Sequence, residues 1–279
     1  MLKTFIMKTL IAATDFSKAS LNAVNYAADL AAAINAKLEV LHVMQVPVAT
    51  VISDDIYGLE EEVYEQRTHK LQLLKQRLEK RTANRIPIAC SVIEGRANST
   101  IKDLAEDKKP LAIILGSKGV SNLQSVVFGS VALYTAKHSQ FPVLLIPEKV
   151  KFKSVSVIAF ATDLFLENST QLLKDLRKWL NIFNAGLDVV HVNDIAGFKK
   201  EKEDQFASFK QHLKPYDVYF NYVVNYSVSD GISSYIKTKK PDLLVLTYHK
   251  KDFLGGLTSG IEFGNILRDT AIPMLVMPD

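Results

Sequence analysis

The chain has 279 residues, 48% of them hydrophobic and 23% charged, with a formal net charge of +4 at pH 7. That length suits two domains better than one sheet. The charge is too small and too scattered to argue for nucleic acid. A lone cysteine, Cys90, excludes an intrachain disulfide framework and fits a reducing compartment.

The opening stretch MLKTFIMKTLIAATDFS is interrupted by Lys8, and Asp15 stands where a small-residue cleavage site should be, so it does not read as a signal peptide. No run of ~18 apolar residues predicts a membrane span, and a cytoplasmic location is expected. From there, Lys8–Thr14 reads as a buried strand with branched apolar residues and no clean alternation. A helix from about Ser17 to Asn35 follows, with Leu21, Val24, Ala28 and Ala31 at helical spacing and Asp15 or Ser17 as N-cap. Lys37–Val43 is the second strand. A helix from about Leu59 to Asn84 comes next, with Leu59, Val63, Leu71, Leu74 and Leu78 on one face. Strands at Ile86–Ile93, Leu111–Leu115 and Val143–Ile146 complete the set, with a short helix over Ser99–Asp107.

The second half echoes the first. LIAATDFS (10–17) is matched by VIAFATDL (157–164), KLEVLHV (37–43) by GLDVVHV (186–192), and FPVLLIPE (141–148) by IPMLVMPD (272–279). Strands in the second half are expected near 155–161, 187–192, 217–224, 242–248 and 273–277. Strands alternating with helices require right-handed crossovers and parallel pairing. The predicted fold class is α/β, two tandem doubly wound five-stranded mainly parallel sheets, with domains at 1–149 and 150–279.

The stretch GSKGVSNLQSVVFGS (116–130) carries Gly116, Gly119 and Gly129 in a chain with only 12 glycines. In doubly wound sheets, ligands bind beyond the carboxyl ends of strands where the strand order reverses. GSKG follows the fourth strand and TDFS follows the first, so Asp15 and Gly116 converge if those strands are neighbours. Gly129 and Ser130 open a helix, whose free N–H groups and positive dipole end suit an anion. Glycines ahead of it permit a nest of amides around phosphate oxygens. The spacing is G-x2-G-x9-G-S, neither a Walker A loop nor G-x-G-x-x-G.

With these residues, and with ATDFS (13–17), LHV (41–43), EGRANSTI (94–101) and PVLLIP (142–147), the chain resembles the universal stress protein family as a tandem pair. The resemblance implies a Rossmann-like, adenine-nucleotide-binding fold, a role in stress response, and ATP carried with Mg²⁺ or Mn²⁺ on its phosphates. It further implies that Asp15 and the backbone near Ala13 and Val43 hold the adenosine moiety. Gly116, Gly119, Gly129, Ser130 and the Val131 amide would hold the phosphates, and Lys118 could add a charge. Ala13 departs from the proline of some ATP-binding members, a change that main-chain contact survives.

In the second half, Gly116 falls on Thr247, Gly119 on Lys250, Gly129 on Gly260 and Ser130 on Ile261, so the signature is degenerate there. ATP binding is expected in the first domain alone, although Asp163 persists. His42 and His191, at the same place in each half, read as satisfied packing histidines. Cys90 reads as an inert core thiol and Trp179 as core. No zinc spacing, HExxH or GxSxG motif occurs.

The expected function is an ATP-binding regulatory protein with at most slow hydrolysis; a nucleotide-independent interaction scaffold and a slow adenine-nucleotide hydrolase are the alternatives. The expected partner is an adenine nucleotide, with neither nucleic acid nor membrane. Each half's proline-bracketed last strand invites edge pairing. That predicts an intrachain pseudo-dimer and leaves room for a homodimer.

Overall fold

The computed structural model describes residues 7–45, 56–117, 129–162, 170–193, 206–207, 209–248, 265–266 and 270–278. The chain forms two compact units, one built from elements up to Phe152 and the other from elements beyond Lys153.

In the first unit the order is β1 (Thr9–Ala13), α1 (Lys18–Ile34), β2 (Lys37–Met44), α2 (Ile56–Arg81), β3 (Ile88–Glu94), α3 (Ala97–Lys108), β4 (Ala112–Ser117), α4 (Ser130–His138) and β5 (Val143–Pro147). The strands lie β3-β2-β1-β4-β5, every neighbouring pair parallel. The chain winds outward from β1 to β3, then returns to the other side of β1 with β4. The order therefore reverses between β1 and β4. α1 and α2 pack together with the sheet; α3 and α4 pack against each other and the sheet. Right-handed crossovers put these pairs on opposite faces, and strands covered on both sides are apolar throughout. In β1 and β4, Leu10, Ile11, Ala12, Ala112, Ile113 and Ile114 are fully or almost fully buried.

α1 is bounded as its sequence dictates. The Ser17 side chain caps its start by accepting from the Ser20 amide, and Asn35 closes it in the left-handed region at φ 51°. Its buried face is rich in alanine, with Ala19, Ala23, Ala27, Ala28 and Ala31 against the sheet. Small side chains let the helix axis come close. α2 buries Leu71, Leu74 and Leu78, whereas Val63, expected on that face, is 41% exposed. A bidentate pair from Arg81 to Asp29, at 2.6 Å on both arms, ties the end of α2 to α1.

In the second unit come β6 (Val157–Ala161), α5 (Thr170–Phe183), β7 (Gly186–Asn193), β8 (Val218–Val224), α6 (Val228–Lys239), β9 (Leu243–Tyr248) and β10 (Met274–Pro278). Their order is β10-β9-β6-β7-β8, again all parallel. Position for position this is the first unit's topology: β6 stands where β1 does, and β9 where β4 does. Leu172, Leu176, Trp179 and Leu180 form the buried stripe of α5, and Leu173 is half-buried beside it. Asp242 accepts from the Ser156 and Val157 amides and pairs with Lys153, pinning the start of β6 to the start of β9.

Candidate functional site

The first unit's switch point is built from the carboxyl ends of β1 and β4 and the first turn of α1. β1 and β4 are directly paired, with Ala12 opposite Ile114, so the chain leaves both strands side by side. Ala13 pairs with Leu41 of β2, and Val43 lies two residues further along that strand. Beyond Ala13, Thr14 stays in register by donating its amide to the Leu41 carbonyl at 2.9 Å.

Asp15 is exposed, but its Oδ1 is fully engaged. It accepts from the Ser17 amide at 2.9 Å and from the Ser20 hydroxyl at 2.6 Å. Burial pushes this carboxyl up, and the bonds from Ser17 and Ser20 outweigh it, leaving Asp15 below the ordinary carboxylate value. Asp15 is thus an ionised acceptor whose Oδ1 is fixed by the first turn of α1.

Ser20 was not singled out by the sequence, although Ser17 and Ser20 sit at N-cap and N3 spacing. Its hydroxyl also meets the Thr14 hydroxyl at 3.0 Å. Thr14 in turn accepts from the Phe16 amide at 3.0 Å, and its carbonyl accepts from His42 Nδ1 at 2.7 Å. His42 is therefore held in one tautomer. Burial lowers its pKa, helped by the nearby charges of Arg67 and Lys70, so the ring is neutral at pH 7. The same bond recurs in the second unit, where His191 Nδ1 donates to the Thr162 carbonyl at 2.9 Å. Both histidines are buried and fixed to the main chain through Nδ1, consistent with a packing role.

Gly116 lies at the end of β4, paired with Ile146 of β5. A β-carbon there would stand 2.6 Å from the Ala19 carbonyl group and 2.9 Å from the Ser20 amide nitrogen. Its small size is thus demanded by the close passage of α1, on the same turn that bonds Asp15. Gly129 differs. It caps α4 with φ −55° and no side-chain hydrogen bond, and among the described residues a β-carbon there would touch only Ala132, at 3.9 Å. Ser130 is exposed and Val131 partly so. α4 therefore starts with no side-chain cap on its first amides, and an uncapped helix start suits an anion. Lys118 and Gly119 lie outside the described residues, as do Asp163, Lys250, Gly260 and Ile261 in the second half.

Cys90 is half-buried in β3, and burial pushes its thiol up to about 11, so it is an unreactive group at neutral pH. Among the described residues no group of three or more His, Cys, Asp or Glu is placed to hold a metal ion, and no helix is long and apolar enough to cross a membrane.

Each unit is thus a doubly wound α/β domain of Rossmann-like kind, and in the first the crevice end carries an ionised aspartate. The chain belongs to the universal stress protein family: the family's model matches residues 7–147, half of the sequence. It is 27% identical over 148 residues to the universal stress protein MJ0531 of Methanocaldococcus jannaschii, covering 52% of this chain and 85% of that one. It is 28% identical over 143 residues to the universal stress protein YxiE of Bacillus subtilis, covering 49% of this chain and 97% of that one. A solved structure of a universal stress protein from Archaeoglobus fulgidus matches 98% of this chain and 99% of its own length, with a TM-score of 0.76 at 15% identity. At that identity the likeness concerns the fold.

Proposed function

We propose that the chain is an ATP-binding regulatory protein of the stress response, holding one nucleotide in its first unit. The observation that carries this reading is the uncapped, glycine-led N-terminus of α4, following a strand paired directly with the one that presents Asp15. The α4 amides suit phosphate oxygens. Asp15, an ionised acceptor placed by the first turn of α1, suits a donor such as a ribose hydroxyl. Ala13 and Val43, on adjoining strands, would flank the nucleoside. Gly119 and Lys118 complete the G-x2-G-x9-G-S signature in sequence. Mg²⁺ or Mn²⁺ would arrive with the triphosphate, to which it supplies charge neutralisation.

The site favours binding over turnover. Asp15 is held below the ordinary carboxylate range by the Ser17 and Ser20 bonds, which makes it an acceptor and a weak general base. Loss of the glycines and of the hydroxyl at Thr247, Lys250 and Ile261 argues against the same site in the second half. Gly129→Val and Gly119→Ala should abolish the ATP-induced thermal shift, and Lys250→Ala should leave it intact. No shift with the wild-type protein at millimolar ATP would favour the scaffold reading instead.

A further inference from the structure

Between Asp15 and Ser17 the backbone makes an unfavourable turn. Phe16 sits at φ +64°, in the left-handed region that glycine enters freely and bulky residues avoid. Glycine would serve the turn better, so the ring has to contribute something. It packs on His42 with ring centroids 4.6 Å apart, and the Lys70 ammonium of α2 lies 4.5 Å over its face. His42 is fixed to the Thr14 carbonyl, and the Phe16 amide to the Thr14 hydroxyl. The turn is therefore anchored by both the main chain and the ring of Phe16. Its product is that the next amide, Ser17, points at Asp15 Oδ1. In the second half, the corresponding residue in sequence is Leu164, which has no ring to offer.

We propose that Phe16 is a positioning residue: its ring, held on His42 and under Lys70, keeps the left-handed turn that presents the Asp15 carboxylate at the switch point. The consequence for nucleotide affinity rests on the function proposed above; the placing of Asp15 does not.

The test uses the full chain with Phe16→Gly, Phe16→Asn and Phe16→Tyr. Glycine and asparagine both accept the left-handed turn but lack the ring, and tyrosine keeps it. Two quantities are read: the titration of the Asp15 carboxyl by NMR, and ATP–Mg²⁺ affinity by calorimetry. Both ringless variants should stay folded, let the Asp15 titration rise toward the ordinary value of 3.8, and bind ATP roughly tenfold more weakly. Phe16→Tyr should retain wild-type behaviour in both. An unmoved Asp15 titration in the folded ringless variants overturns the proposal, even where affinity falls, because the ring would then touch ligand directly. Should one ringless variant fail to fold, the other decides. A wild-type protein that binds no ATP would sink the functional reading, while the carboxyl titration still decides the role of Phe16.

Discussion

Gly116→Ala tests how closely α1 crosses the sheet. The added β-carbon would stand 2.6 Å from the Ala19 carbonyl carbon and oxygen and 2.9 Å from the Ser20 nitrogen, all main-chain atoms. No side-chain rotation relieves such a contact, so α1 or β4 must move. Overpacking of this kind costs about 1–3 kcal/mol, and a backbone neighbour puts it at the upper end. Removing a glycine's freedom returns about 0.5–1 kcal/mol. The net is a loss of about 2 kcal/mol, or a fall in Tm of about 4–8 °C for a protein of this size. Gly129→Ala is the control, since among the described residues its β-carbon meets nothing nearer than 3.9 Å, and its Tm should stay within about 1 °C of wild type. Thermal unfolding followed by circular dichroism measures both. If Gly116→Ala melts with the wild type, α1 does not pass β4 as closely as described, and the packing account of this glycine fails.

Asp15→Asn should weaken ATP binding and flatten the acid limb of stability. The folded carboxyl is held below its ordinary value of 3.8, so its contribution is present above that pH and lost as pH falls through the lower folded value; equal acid limbs in variant and wild type would contradict this. For His42 the sign is the same, though burial of the ring sets it: a folded pKa below 6.5 means the unfolded chain takes up the proton first, so stability declines as pH drops below 6.5, and NMR should find His42 titrating under that value. The Arg81–Asp29 pair is half-exposed, at 40% and 24%, and a double-mutant cycle should give it about 0.5–1 kcal/mol, shrinking with added salt.

The fold was legible because each signal it needed was local. Thr9–Ala13 and Val143–Pro147 are short branched runs that only a doubly covered strand accommodates, and the Ser17 and Asn35 caps mark α1 to within one residue. β3 starts at Ile88, not Ile86, because Pro87 brings no amide to the ladder and contributes only its carbonyl, to the Leu38 amide. Val63 shares a helical stripe with Leu71 and Leu78 in spacing, yet α2 buries that stripe only in its later turns, at Leu71, Leu74 and Leu78, and Val63 stays exposed. Asp15 and Gly129 were legible as candidates because a carboxylate and a helix-opening glycine have recognisable chemistry. The packing demand on Gly116 was not, because it is set by Ala19 and Ser20, nearly a hundred residues earlier in the chain. Ser20, Phe16 and Lys70 escaped for the same reason: what they do depends on which neighbours the fold brings to them.

Calorimetric titration of the full chain with ATP–Mg²⁺ tests the central claim most directly. The account predicts one site per chain with a dissociation constant in the micromolar range, about −8 kcal/mol, removed by Gly129→Val. Heat corresponding to two equivalent sites, or a single site that survives Gly129→Val, would contradict it.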